Sequence, residues 1–223
     1  MLAVGIDVGS ISTKVVVLAN DKMSYLIRPT GWSPREVGKE SYYEILEREG
    51  YTPDQVGYIV GTGYGRISLP FVNKVVTEIT CHGRGASFLL PQAHLVIDIG
   101  GQDSKVIKID QKGKVQNFIM NDKCAAGTGR FLQVMAATLG LDVSELGELG
   151  RDEEQNPVVI NSMCTVFAES EVIGLLAQGV DKASTIAALH RSIARRIAAM
   201  VNRIGVNGPV CFRGFDALVA EAT

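Results

Sequence analysis

The sequence predicts an α/β protein built from two similar lobes, and two observations carry that prediction. The first is an internal repeat. Residues 6–18 read Ile-Asp-Val-Gly-Ser-Ile-Ser-Thr-Lys-Val-Val-Val-Leu, and residues 97–109 read Ile-Asp-Ile-Gly-Gly-Gln-Asp-Ser-Lys-Val-Ile-Lys-Ile, at a constant offset of 91. Without gaps they share Ile, Asp, Gly, Lys and Val, and Thr13 stands opposite Ser104. The second is a change of period along each half: β-branched runs flank an Asp-Gly turn, and helical spacing follows.

In the first lobe, residues 2–6 form a strand that ends in Asp7, a turn containing Gly9 follows, and residues 15–18 return as a second strand. The product is a β-hairpin with an aspartate at the tip of its first strand. Residues 42–49 are helical, 58–60 strand-like, and Gly-Thr-Gly-Tyr-Gly-Arg at 61–66 is a loop. In the second lobe the hairpin recurs as 95–97, Asp98, a Gly100-Gly101 turn and 106–109. A strand at 115–120, a Gly-rich loop at 121–129 and a helix at 130–139 continue it, with Gly140 as the C-cap. Residues 147–157 are a polar loop within that lobe.

The clearest helix is 181–204, where Ile186, Leu189, Ile193, Ile197, Met200, Val201 and Ile204 recur at helical spacing and Gly205 follows. His190 sits beside that apolar stripe and is expected to be a packed or surface histidine. Arg191, Arg195, Arg196 and Arg203 fall mostly on the other faces and are expected to be solvated, facing a partner. The boundary is placed near Pro91, giving lobes 1–91 and 92–223.

Composition narrows the function. Of 223 residues, 46% are hydrophobic and 21% charged, enough apolar content for a sizeable core. A net charge of -2 supplies no general basic field for nucleic acid or an anionic membrane. Apolar stretches are interrupted well before the roughly 20 residues of a membrane span, and Met-Leu-Ala-Val-Gly-Ile-Asp lacks the basic start of a signal peptide. The chain is expected to be cytoplasmic. Its four cysteines (Cys81, Cys124, Cys164 and Cys211) are too sparse for a disulfide scaffold.

Two hairpins that each offer an aspartate, turn amides and small hydroxyls suit a nucleotide held between them. Gly9, Ser10, Ser12 and Thr13 in one turn, and Gly100, Gly101 and Gln102 in the other, offer amides and hydroxyls to phosphate oxygens. Asp7 and Asp98 would hold Mg²⁺ through water. Lys14 would reach a phosphate, and Gln102 or Asp103 would position the attacking water. No Gly-x-x-x-x-Gly-Lys-Ser/Thr loop occurs. The paired turns resemble the phosphate motifs of the actin, Hsp70 and sugar-kinase superfamily, whose members pair two ribonuclease-H-like lobes around ATP.

Cys124 and Cys164 each lie near the start of a predicted helix, where the positive dipole end favours a thiolate or an anionic cluster. Neither forms a Cys-x-x-Cys pair, so zinc fits poorly. Their segments, Phe-Ile-Met-Asn-Asp-Lys-Cys-Ala-Ala-Gly-Thr-Gly-Arg-Phe at 118–131 and Cys-Thr-Val-Phe-Ala-Glu-Ser-Glu-Val at 164–172, resemble signatures of the 2-hydroxyacyl-CoA dehydratase activators. These BadF/BadG/BcrA/BcrD-type ATPases are related to the ATPase subunits of benzoyl-CoA reductase. The phosphate turns and Cys-His-Gly-Arg-Gly-Ala at 81–86 match that family too, and the resemblance runs from about residue 2 to 206.

The resemblance implies that Cys124 and Cys164 ligate a [4Fe–4S] cluster. A cubane takes four thiolates, and the family's arrangement is a homodimer sharing one cluster. It further implies ATP and ADP as ligands, a ferredoxin or flavodoxin as electron donor, and a 2-hydroxyacyl-CoA dehydratase as the acceptor of a low-potential electron. The alternatives are the ATPase subunit of a benzoyl-CoA-reductase-like system and a sugar-kinase-like small-molecule kinase, for which Asp103 would serve as base. After Val206 the chain departs from the family pattern. Gly-Pro-Val-Cys-Phe-Arg-Gly-Phe at 208–215 stands where a Thr-Gly-Gly-type adenosine loop is expected, so the second lobe reads as incomplete.

Overall fold

The computed structural model describes residues 1–20, 22–121, 123–150, 158–161 and 164–214. The chain divides into two compact units, Met1–Arg84 and Gly85–Thr223. The expected loop at 151–157 and the Phe215 position lie outside the described residues.

The first unit is a five-stranded sheet in the order β3-β2-β1-β4-β5, formed by Leu2–Val8 (β1), Ser12–Ala19 (β2), Lys22–Pro29 (β3), Val56–Thr62 (β4) and Lys74–Val75 (β5). β1 and β2 form the predicted antiparallel hairpin, with Asp7 opposite Lys14. Period-two alternation turns Val4, Ile6 and Val8 of β1 and Val15 and Val17 of β2 inward. The helix Pro34–Glu49 (α1) buries Tyr42, Ile45 and Leu46 in the same core. It starts eight residues before the predicted 42–49, because Pro34 suits a first helical turn. Gly50, left-handed at φ 75°, ends it. The predicted loop at 61–66 divides between the end of β4 and a 3-10 turn at Tyr64–Ser68.

A helix at Glu78–Leu89 (α2) precedes the second sheet, whose order is β8-β7-β6-β9. Its strands are Leu95–Ile99 (β6), Ser104–Ile109 (β7), Val115–Asn121 (β8) and Val210–Arg213 (β9). β6 and β7 repeat the first hairpin, with Asp98 opposite Lys105, and β9 joins β6 in parallel, with Asp98 opposite Arg213. The helices are Gly129–Leu139 (α3), Val143–Leu149 (α4), Thr165–Ala177 (α5) and Lys182–Ile204 (α6). Phe131, Met135 and Leu139 of α3 meet Ile186, Leu189, Ile193 and Ile197 of α6 in one core.

Asp181 caps α6 by accepting the Ser184 amide at 2.8 Å, and Gly140 closes α3 at φ 69°. The short helix α4 corrects the expectation of a polar loop from residue 147. Asp142 and Glu145 form a reciprocal capping box that starts it, so 147–149 are its last turn.

Two of the arginines on α6 also differ from expectation. Arg191 donates to the Val158 carbonyl at 3.3 Å and Arg196 to Asn121 at 3.3 Å, so neither is simply solvated. Arg195 and Arg203 are exposed. His190 is half-buried, its ring filling the space beside Gly150. Burial holds its imidazole below the usual histidine range.

Candidate functional site

The two Asp-Gly turns share one backbone hydrogen bond. In the first, the Gly9 amide donates to the Ser12 carbonyl at 3.1 Å; in the second, Gly100 donates to Asp103 at 2.8 Å. The 91-residue offset therefore holds for the turn hydrogen bond as well as for the residues. A Cβ at Gly9 would come within 2.8 Å of the Ser12 carbonyl, and one at Gly100 within 2.7 Å of Asp103 Oδ1. Only glycine leaves these turns open for close approach by a ligand.

Their side chains differ. In the first turn, Asp7 and Lys14 lie 3.7 Å apart and both are partly exposed. Gly9, Ser10 and Ser12 are half-buried at the turn. The Thr13 hydroxyl points inward, 2.9 Å from Thr30 Oγ1, and Thr30 in turn donates to the Gly9 carbonyl at 2.8 Å. Thr13 thus supports the turn with its side chain. Gly63 closes the other side of Asp7: its backbone, at φ 86°, lies so near that a Cβ would overlap Asp7 Oδ1. Burial pushes the Cys81 thiol up, with Asp7 and Glu78 adding to the shift. A thiol kept protonated suits a packed cysteine better than a ligand.

In the second turn the acidic groups are already engaged. Lys105 is buried and reaches Asp98 Oδ2 at 3.4 Å and Asp103 Oδ1 at 2.5 Å. Arg213 Nε meets Asp98 Oδ1 at 3.2 Å. Gln102 is exposed at the tip, while Ser104 Oγ is buried without a hydrogen-bond partner among the described residues. Arg213 was not singled out from sequence. Only the register of β9 against β6 reveals it, and no local pattern announces that register.

The two cysteines singled out from sequence both belong to the second unit. Cys164 is the N-cap residue of α5, exposed, with no side-chain cap bond of its own. Val166 and Phe167 in the first turn of α5 are also exposed. Cys124 is half-buried in the loop between β8 and α3 and packs against the core. The helix that follows the loop is seated on the Gly100–Gly101 turn: the Gly129 and Arg130 amides that open α3 each donate at 2.9 Å, to the Gly100 and Gly101 carbonyls. Asn121, which lies in the 118–131 segment but had no role assigned from sequence, donates to the Cys124 carbonyl at 3.0 Å and to the Ala126 carbonyl at 3.1 Å.

This donor chemistry fits two of the four ligands of an iron–sulfur cluster. Neither thiol is in a disulfide, and one lies at a helix N-terminus. For Mg²⁺, Asp7 offers a part-exposed carboxylate. A hydrated ion at Asp98 would first have to displace Arg213. Among the described residues no helix is long and apolar enough to cross a membrane.

Residues 4–219 match the model of the BadF/BadG/BcrA/BcrD ATPase family. The (R)-2-hydroxyglutaryl-CoA dehydratase activating ATPase of Acidaminococcus fermentans is 46% identical over 215 residues, covering 94% of this chain and 81% of that protein. The crystal structure of A. fermentans (R)-2-hydroxyglutaryl-CoA dehydratase component A superposes with a TM-score of 0.92 at 43% identity, over 99% of this chain and 85% of that one. The Clostridium difficile activator of 2-hydroxyisocaproyl-CoA dehydratase with bound ADPNP superposes with a TM-score of 0.87 at 41% identity, over 99% and 82%.

Proposed function

The chain belongs to the BadF/BadG/BcrA/BcrD ATPase family, and from that premise we propose that it is an ATP-hydrolysing activator delivering a low-potential electron to a 2-hydroxyacyl-CoA dehydratase. The observation that carries this reading is the placement of Cys124. The start of α3, into which its loop runs, rests by two backbone hydrogen bonds on the Gly100–Gly101 turn, so the nucleotide-binding element and the metal-ligating residue of this reading are joined through a short stretch of chain. A sugar-kinase-like enzyme has no use for that connection.

Each lobe, 1–91 and 92–223, contributes one phosphate turn. Gly9, Ser10, Ser12, Gly100 and Gly101 offer amides and hydroxyls to phosphate oxygens, and Lys14 adds a cation. Asp7 holds Mg²⁺ through water. Asp98 orders the second turn through Lys105 and Arg213. Gln102, exposed, orients the attacking water, while Asp103 fixes Lys105.

Two copies of the chain each supply Cys124 and Cys164, completing four thiolates around one [4Fe–4S] cluster. When bound, the cluster supplies one-electron chemistry; a ferredoxin or flavodoxin is the donor. The exposed Val166 and Phe167 beside Cys164 suit a surface covered by the second copy. A reducing cytoplasm keeps all four thiols available.

Iron, acid-labile sulfide and solution mass of the anaerobically purified protein test this reading. The expected result is about four irons per dimer, lost in Cys124→Ala and in Cys164→Ala. An iron-free monomer after attempted reconstitution overturns it.

A further inference from the structure

The structure assigns to Asn121 and Arg196 a role as positioning residues that clamp the Cys124 loop to α6. Asn121 is the last residue of β8, and its side-chain amide is fully engaged. Nδ2 donates to the Cys124 carbonyl at 3.0 Å and to the Ala126 carbonyl at 3.1 Å, while Oδ1 accepts from Arg196 Nη2 at 3.3 Å. An amide NH2 has two donors, and here both hold the cysteine loop.

Arg196 acts through its stem as well as its guanidinium. Gly127, left-handed at φ 80°, lies so close that a Cβ there would stand 3.0 Å from Arg196 Cδ. The loop is thereby threaded between the arginine stem and the core. Ile193 and Ile197, flanking Arg196 on α6, are buried, so the clamp is mounted on a packed helix.

Sterics alone do not fix the loop. A cavity of about 240 Å³, lined by Gly127, Phe131, Asn161 and Arg196 among others, lies beside it. Without the clamp the loop has room to shift, so its hydrogen bonds decide where Cys124 sits. The loop's far end is tied to the Gly100–Gly101 turn. Cys124 is therefore held between two anchors, the phosphate turn and α6, and a displacement of one against the other has to pass through it.

The consequence for a cluster rests on the function proposed above; the clamp itself is tested on the thiol. The full-length chain before cluster reconstitution is alkylated with iodoacetamide, and modification of Cys124 is followed by peptide mass spectrometry, with the exposed Cys164 as internal reference. Because Cys124 is half-buried, its rate follows the fraction of open loop. Arg196→Ala is expected to raise the Cys124-to-Cys164 rate ratio about five-fold, the effect of one net hydrogen bond, and Asn121→Ala, which removes two bonds to the loop, about thirty-fold. Asn121→Asp keeps an acceptor for Arg196 but lacks both carbonyl donors, so it should behave like Asn121→Ala. Arg196→Lys should restore most of the protection.

Unchanged ratios in folded Asn121→Ala and Arg196→Ala overturn the clamp. Should either alanine variant lose its far-UV circular dichroism, Asn121→Asp and Arg196→Lys decide the matter by the same ratio. Wild-type protein that takes up no iron counts against the proposed function and leaves these alkylation results to judge the clamp separately.

Discussion

Lys14 and Lys105 occupy equivalent positions in the repeat, so one substitution made at both sites isolates the effect of burial. Lys105 is 2% exposed, lies 3.4 Å from an equally buried Asp98, and also binds Asp103. Lys105→Met leaves Asp98 facing Arg213, whose own side chain is 43% exposed. Removing one partner of a buried ion pair costs about 3–5 kcal/mol, and the surviving Arg213 contact places this case near about 3 kcal/mol. Lys14 lies 3.7 Å from Asp7, with side-chain exposures of 33% and 27%. Partly solvated pairs of that kind contribute about 0.2–1 kcal/mol. Lys105→Met should therefore destabilise by roughly 2 kcal/mol more than Lys14→Met. Urea unfolding followed by circular dichroism gives the two free energies, and calorimetry separates the units if they melt apart. Adding Asp98→Asn to Lys105→Met should recover part of the loss, because the uncompensated charge is gone. Equal costs at the two positions, or a double variant weaker than the single one, would refute the reasoning.

Gly63→Ala should cost about 1–3 kcal/mol for forcing a side chain into a glycine-only backbone conformation, and should also lower ATPase turnover. The added Cβ would push Asp7 from its place, and urea midpoints measured beside steady-state hydrolysis check both effects. For His190, burial lowers the folded-state pKa below the ordinary 6.5, so the unfolded chain takes up the proton more readily. Stability should then fall as pH drops below about 6.5 and keep falling until the folded-state pKa is passed. His190→Gln should remove that part of the slope, and equal losses of urea midpoint in both proteins between pH 7.5 and 5.5 would contradict it.

The hairpins and α6 were legible because local signals and tertiary packing agree there. In β1 and β2 the inward positions are Val4, Ile6, Val8, Val15 and Val17, an alternation that the sequence displays directly. β3 was not legible for the converse reason: Met23, Tyr25 and Ile27 are all exposed on one face, while Ser24 and Arg28 point the other way. An apolar solvent face and a partly polar inner face blur the period. α4 had a readable start in Asp142 and Glu145, but its seven residues with two exposed glutamates look like a loop. At the site, Asp7, Asp98 and the cysteines were visible as residue types in a repeated or segmental pattern. Thr30 and Arg213 were not, because each acts across the fold on a residue far along the chain, and Asn121 was not, because its local bonds to the Cys124 and Ala126 carbonyls have no sequence signature and its partner Arg196 is distant.

The two turns of the repeat differ in their side chains and in what their carbonyls hold. Both retain the Asp–Lys pair and the Gly-to-carbonyl turn bond, so neither feature explains why only the second lobe bears the cysteines of interest. What differs is where each turn sends its remaining hydrogen bonds. The first accepts at its Gly9 and Ile11 carbonyls from the hydroxyl and amide of Thr30, between β3 and α1, while Lys14 remains accessible. The second buries its lysine and leaves Ser104 without a partner. Its Gly100 and Gly101 carbonyls accept the amides that open α3. A turn whose carbonyls hold the next helix passes any displacement to the loop preceding that helix, and here the loop contains Cys124.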